Sequence, residues 1–108
     1  MVGSDGGIGL RHPRGAGTYP RILGRYVREL RLLSLESAIR KMTGLPASNV
    51  GLKQRGLIRE RYFADITIFD PATVIDRATF ENPNQYPAGI NFVLVNGHIE
   101  VDNGQRTP

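Results

Sequence analysis

Cysteine and tryptophan do not occur in this 108-residue sequence, and histidine occurs only twice. Without cysteine the chain has no disulfide, no thiolate ligand for a metal and no cysteine nucleophile. The two histidines, His12 and His98, lie far apart, and neither an HxH nor an HExxH pattern is present. Because a metal site needs several clustered ligands, we do not expect these residues to form one by themselves.

Long apolar segments are also missing. No run approaches the roughly 20 apolar residues that cross a bilayer. The segment Met1–Gly9 is glycine-rich and lacks the apolar core of a signal peptide. These absences predict no membrane partner and a cytoplasmic location, with which the lack of cysteine agrees. A chain of this length suffices for one domain and is too short for two.

Positive charge is concentrated in the first part of the chain. Residues 1–61 carry a formal charge of +8, whereas residues 62–108 carry −4. Four arginines recur at helical spacing within the basic part: Arg21, Arg25, Arg28 and Arg31. Such a stripe could contact a nucleic-acid backbone, but it lacks interleaved aromatic side chains for stacking. We therefore predict a solvated helix face and no nucleic-acid partner.

The chain begins with a glycine-rich loop that is followed by a predicted helix. Residues 1–20 contain six glycines and two prolines, a composition that predicts irregular backbone. Apolar residues at helical spacing then predict a helix over residues 20–33. Thr18 is the expected N-cap, and Pro20 suits the first turn, where its missing N–H costs nothing.

A second helix is predicted over about residues 34–43. Ser34 is the expected N-cap, and Gly44 is expected just past the end of the helix, where glycine is favoured. A short helical turn is predicted over residues 46–50.

The second half of the chain changes to the two-residue period of β-strands. A strand is predicted over residues 64–70, where β-branched residues are frequent. Residues 92–95 and 98–101 flank Asn96-Gly97, the preferred pair for a tight hairpin turn. Asn103-Gly104 is expected to end the second hairpin strand, and three prolines make the segment before the hairpin mostly connection. The predicted fold class is therefore α+β.

Three residues of the amino-terminal loop are candidate site residues. Asp5 either forms a local Asx turn with the backbone or serves as a carboxylate that binds a metal or moves a proton. Arg14, which follows His12-Pro13, either grips a carboxylate through its planar guanidinium or is simply solvated. The residues alone leave both alternatives open.

Taken together, several segments resemble the carboxy-terminal part of the N-acyl-D-amino-acid deacylases, or D-aminoacylases, of the amidohydrolase superfamily. The block from His12-Pro13-Arg14 to Tyr19-Pro20-Arg21 is the most specific of them. The others are Gly3-Ser4-Asp5-Gly6, Leu23 to Arg28, Leu33 to Glu36, Lys41 to Ala47, Ala64-Asp65-Ile66, Phe69-Asp70-Pro71 and Val93 to Gly97.

The resemblance implies both a fold and roles for the candidate residues. Residues 1–55 would be the end of the last strand and the outer helices of a (β/α)₈ barrel, and residues 56–108 part of a small β-sandwich. Asp5 would face a zinc ion and act as general base toward its bound water. Arg14 would hold the α-carboxylate of the substrate, with His12 beside it.

The same resemblance implies a function for the whole enzyme. It would hydrolyse an N-acyl-D-amino acid to a carboxylate and a free D-amino acid with the help of zinc. This chain lacks the upstream histidine ligands, so we expect it to be inactive alone and not to bind zinc tightly. The alternative is a non-catalytic binding or assembly module. In either case we expect self-association or pairing with the missing amino-terminal part, because so few elements leave apolar faces uncovered.

Overall fold

A computed structural model describes all 108 residues of the chain. Its first helix, α1, spans Arg14–Arg21 and continues directly into a π-helix over Ile22–Glu29. The helix therefore starts six residues earlier than predicted, within the segment expected to be a loop. Thr18 is not its N-cap, because it lies inside α1, where its hydroxyl donates to the carbonyl of Arg14 at 2.7 Å. Tertiary packing accompanies the early start, because Gly17 of α1 allows Asp76 and Ala78 to approach the helix closely.

Pro20 lies inside α1 rather than in its first turn. A proline there has no N–H for the intrahelical hydrogen bond and crowds the preceding turn. The wider π-helix begins two residues later, at Ile22. The sequence correctly predicted a helix in this region, but it predicted neither where the helix starts nor its change from α-helix to π-helix.

Helix α2 spans Leu35–Met42 and confirms the second predicted helix. The hydroxyl of Ser34 accepts a hydrogen bond from the N–H of Ser37 at 3.1 Å, as expected of an N-cap. Gly44 follows Thr43, the C-cap of α2, and so lies just past the end of this helix as predicted, although it is not among the glycines with positive φ. It is the first residue of helix α3, which spans Gly44–Asn49 and corresponds to the predicted helical turn.

Four antiparallel strands form one sheet in chain order: β1 (Ile66–Phe69), β2 (Ile90–Val95), β3 (His98–Asp102) and β4 (Gln105–Arg106). The predicted Asn96-Gly97 turn joins β2 to β3, and both of its residues have positive φ, 50° and 80°. Asn103-Gly104 ends β3 as predicted and also turns the chain into β4, which was not predicted.

A small core joins the helices to the sheet. Leu23 of the π-helix, Ala38 of α2 and Val74 of the connection after β1 are buried together. Phe69 of β1 and Ile90 of β2 pack against them from the sheet. The shared core confirms the α+β class. No helix combines the length and the apolar character needed to cross a bilayer.

The π-helix lies very close to the segment that contains Val74. A Cβ atom at Gly24 would lie 2.5 Å from the carbonyl oxygen of Val74 and 2.5 Å from Cδ1 of Ile75. The guanidinium of Arg28 also donates to the carbonyl of Val74, at 2.7 Å. Residues 74–76 are therefore fixed against the helices. Asp76 contacts Arg21 at the end of α1, and Phe80 lies against His12 just before its start.

Candidate functional site

The amino-terminal loop presents the Asp5 carboxylate to α1. Asp5 has a positive φ of 52°, and its carboxylate accepts a hydrogen bond from Nη2 of Arg14 at 2.8 Å. The hydroxyl of Ser4, and not the Asp5 side chain, accepts a bond from the backbone N–H of Gly6 at 3.2 Å. The local turn is therefore made by Ser4, and the Asp5 side chain, which is 86% exposed, pairs with Arg14.

Arg14 owes its position to the start of α1. It is the first residue of the helix, and its backbone N–H donates to Nδ1 of His12 at 3.0 Å. This bond requires that Nδ1 carries no proton, so a neutral His12 has its proton on Nε2. The His12 side chain thus satisfies one of the free N–H groups of the helix start. The structure brings Asp5, His12 and Arg14 together, whereas His98 lies on β3 in the hairpin.

A cleft of about 460 Å³ opens beside these residues. One wall comes from the start of α1, and the other from the connection between β1 and β2. The lining residues are His12, Pro13, Arg14, Gly17, Thr18, Arg21, Asp76, Ala78, Thr79, Phe80 and Glu81. The second wall was not predicted, because its residues follow no periodic pattern and lie more than 50 positions away in the sequence.

One ion pair fixes the two walls to each other. Nη1 of Arg21 lies 3.4 Å from a carboxylate oxygen of Asp76, which is only 11% exposed. The negative charge of Asp76, together with a hydrogen bond that Arg21 donates to the hydroxyl of Tyr26, raises the pKa of the Arg21 guanidinium above its usual value. Gly17 permits this contact, since a Cβ there would lie 3.3 Å from Cβ of Asp76.

The donor set of this chain does not fit a zinc ion by itself. No group of three or more histidine, cysteine, aspartate or glutamate side chains lies together. Asp5 is a single carboxylate bound to Arg14, whereas a catalytic zinc takes about three protein ligands. Further ligands would have to come from outside these 108 residues.

The chain is therefore an α+β segment in which one carboxylate, Asp5, contacts an arginine that lines a cleft. The amidohydrolase family model matches residues 1–101, and the chain belongs to this family. This confirms the resemblance seen in the sequence. The chain is 54% identical over 99 residues to a D-aminoacylase of Alcaligenes xylosoxydans xylosoxydans, covering 90% of this chain and 20% of that protein.

Two solved structures are also similar. A crystal structure of D-aminoacylase, described as defining a novel subset of amidohydrolases, matches with a TM-score of 0.94 and 50% identity, covering 99% of this chain and 23% of that one. An N-acyl-D-glutamate deacylase from Bordetella bronchiseptica, complexed with zinc and a phosphonate mimic of the tetrahedral intermediate, matches with a TM-score of 0.86 and 49% identity. That match covers 92% of this chain and 21% of the deacylase. The chain thus spans about a fifth of the length of these relatives.

Proposed function

We propose that this chain is the carboxy-terminal part of a zinc-dependent amidohydrolase that hydrolyses N-acyl-D-amino acids to a carboxylate and a free D-amino acid. One observation carries the proposal: the contact between Asp5 and Arg14, in a segment about half identical to D-aminoacylase. The chain lacks most of a zinc ligand set, so it is inactive alone and does not bind zinc tightly.

Asp5 and Arg14 have different roles in this proposal. Asp5 is the carboxylate that this segment contributes toward the metal, and it accepts a proton at a carboxylate oxygen. Arg14 binds the α-carboxylate of the substrate. A guanidinium has five N–H donors, and Asp5 accepts from only one of its nitrogens, so donors remain for a second carboxylate. His12 lies beside this site and, by accepting from the backbone N–H of Arg14, holds the arginine in place.

We further propose that the two parts of the chain belong to different domains of the whole enzyme. Residues 1–55 supply the end of the last strand and the outer helices of a (β/α)₈ barrel, and residues 56–108 supply part of a β-sandwich. Asp5 then lies at the carboxyl end of a barrel strand, where such enzymes place their active sites. The missing amino-terminal part, or a second copy, covers the exposed apolar side chains, among them Leu32 and Ile58, which are 68% and 82% exposed.

The proposal assigns a small-molecule substrate and no nucleic-acid or membrane partner, in a cytoplasmic enzyme. The arginine stripe supports this view, since most of its members are already engaged within the chain. Arg21 pairs with Asp76, Arg25 pairs with Glu29 at 2.7 Å, and Arg28 donates to backbone carbonyls. These contacts leave few donors free for phosphate groups.

A chimeric enzyme tests the proposed function. The matching 99-residue segment of the Alcaligenes D-aminoacylase is exchanged for the corresponding residues of this chain. We expect the chimera to release D-amino acid in the presence of zinc and to lose this activity on removal of the metal, whereas the isolated chain has none. A folded chimera without activity, or zinc-dependent hydrolysis by the isolated chain, would contradict the proposal. The first result would favour a binding or assembly module.

A further inference from the structure

Two Asn-Gly pairs occur in the chain, and both lie in tight turns of the sheet. Asn96-Gly97 joins β2 to β3, and Asn103-Gly104 joins β3 to β4, with positive φ at all four residues. Asparagine before glycine is chemically labile, because glycine has no side chain to hinder attack of its backbone nitrogen on the preceding amide. The two pairs are alike in sequence, so a difference between them has to come from the surrounding structure.

The Asn96-Gly97 turn is held by residues that precede β1. Nη2 of Arg55 donates to the side-chain carbonyl of Asn96 at 2.7 Å, and the same guanidinium pairs with Asp65. The N–H of Asn96 donates to Asp65 at 2.8 Å, and the N–H of Gly97 donates to the carbonyl of Ala64 at 2.9 Å. The side-chain carbonyl and the backbone nitrogen that would react with each other are thus held by different partners.

Arg55 is itself fixed in this position. Its guanidinium lies over the ring of Phe63, 4.1 Å from the ring centroid, and its side chain is only 30% exposed. A guanidinium that is already stacked and paired loses little further freedom when it also binds the amide of Asn96. The contact between Arg55 and Asn96 is therefore built into the fold.

No such contact reaches the second turn. The side chain of Asn103 bonds only to the carboxylate of its neighbour Asp102, at 3.0 Å. The N–H of Gly104 donates to the carbonyl of Asn91 at 2.9 Å, but β4 has only two residues, both exposed. After β4, Thr107 alone bonds back to β3. A short edge strand near the chain end opens more easily than the ladder between β2 and β3, and each opening frees the nitrogen of Gly104.

We propose that Asn103 is a site of spontaneous deamidation, and that Arg55 protects Asn96 from the same reaction. The nitrogen of Gly104 attacks the side-chain carbonyl carbon of Asn103 and forms a new carbon–nitrogen bond. The bond from that carbon to the side-chain nitrogen breaks, and ammonia leaves with the proton of the Gly104 N–H. Water then opens the cyclic imide at either carbonyl, which leaves aspartate or isoaspartate at position 103.

The products change the turn in two ways. A carboxylate replaces the amide that donates to Asp102, so two negative charges lie side by side. Isoaspartate also adds a methylene group to the backbone, which a tight turn with φ values of 47° and 77° does not accommodate. We expect the isoaspartate form to lose the pairs Val101–Arg106 and Asp102–Gln105, which leaves β3 as an unpaired edge.

Peptide mapping by mass spectrometry, after incubation of the purified chain in mildly alkaline buffer, tests the proposal. In the folded chain we expect acidic products to accumulate at position 103 well before position 96. In guanidinium chloride, where both turns are unfolded, the two sites should react at similar rates. Similar rates in the folded chain, faster reaction at position 96, or no reaction at position 103 while the unfolded chain reacts, would overturn the proposal.

Variants assign the protection to Arg55. Arg55→Gln should speed the reaction at Asn96 by about tenfold, the worth of one hydrogen bond to a charged group, and leave the rate at Asn103 unchanged. Arg59→Gln is the matched control, since the Arg59 guanidinium lies 6.0 Å from the ring of Tyr62 and bonds to neither turn. It should change neither rate. Rates that rise equally at both asparagines in Arg55→Gln, or an unchanged rate at Asn96, would contradict protection by Arg55.

NMR of the incubated chain tests the structural consequence. The amide signals of residues 105–107 should move to random-coil positions in the isoaspartate form, while those of β2 stay in place. Asn103→Asp introduces the charge without lengthening the backbone and should keep the signals of β4. An isoaspartate form that keeps them as well would show that the modification does not release β4.

Discussion

Substitution of Gly24 by alanine should disrupt the contact that holds the second wall of the cleft in place. The added Cβ would lie 2.5 Å from the carbonyl oxygen of Val74 and 2.5 Å from Cδ1 of Ile75. The isoleucine side chain can move, but the carbonyl belongs to backbone that also accepts a hydrogen bond from Arg28. The π-helix and the segment 74–76 must therefore move apart.

The expected cost follows from the overpacking of this contact. Inserting a methyl group into a packed site costs about 1–3 kcal/mol. The lower backbone entropy of alanine in the unfolded chain offsets about 0.4–1 kcal/mol of that cost. The net loss is therefore centred near about 1.3 kcal/mol, within a range of about 0–2.6 kcal/mol. For a chain of this size the central value lowers the Tm by roughly 5–10 °C.

Gly15→Ala is the matched control for this prediction. Gly15 also lies in a helix, but a Cβ there would have its nearest neighbour, Cδ2 of Leu10, at an ordinary 3.9 Å. The same chemical change should therefore raise stability, by about 0.4–1 kcal/mol. Thermal unfolding followed by circular dichroism measures both variants. If Gly24→Ala unfolds at or above the wild-type temperature, the packing argument is wrong.

Three further predictions concern stability and association. The N–H of Asn96 and the guanidinium of Arg55 hold the pKa of Asp65 below its usual 3.8, so the stability that this carboxylate provides is lost as the pH falls below about 4. The free energy of unfolding, measured by denaturation at several pH values, should fall with pH in the wild type and fall less in Asp65→Asn. The same pH dependence in both proteins would contradict the prediction. Ser34→Ala should lower the free energy of unfolding by about 0.5–2 kcal/mol through loss of the bond from Ser37, and an unchanged urea midpoint would refute this. Because large apolar side chains are exposed, the isolated chain should self-associate in sedimentation experiments, and a monomer at high concentration would count against this.

Local sequence signals predicted those elements whose geometry depends on neighbouring residues. Asn96-Gly97 adopts the positive φ values of its turn, and Ser34 caps α2 through a bond three residues away. Both signals act within a few positions and need no tertiary context. The glycine-rich start of α1 could not be predicted in this way. Gly17 is favourable there because Asp76 packs against it, a contact between residues distant in sequence.

The residues of the candidate site also fall into two groups, those that the sequence suggested and those that it did not. Asp5, His12 and Arg14 lie within ten positions of one another, and the resemblance to the deacylases suggested all three as candidates. The structure places them in contact, but their roles stay a prediction. Phe80 and the rest of the second wall come from a connection without periodicity. Their position depends on the core around Val74 and on hydrogen bonds within residues 77–85. A single sequence carries no signal for such long-range contacts.

The role of Asp5 is the central claim of this account, and its substitution in the active chimera tests that claim most directly. Asp5→Asn keeps the size of the side chain but removes its ability to accept a proton, so kcat should fall by about 10²–10⁴-fold. Asp102→Asn is the matched control, since Asp102 is an exposed carboxylate on β3 that bonds only to its neighbour Asn103. It should leave kcat unchanged. An Asp5→Asn chimera that keeps the kcat of its parent would contradict the account.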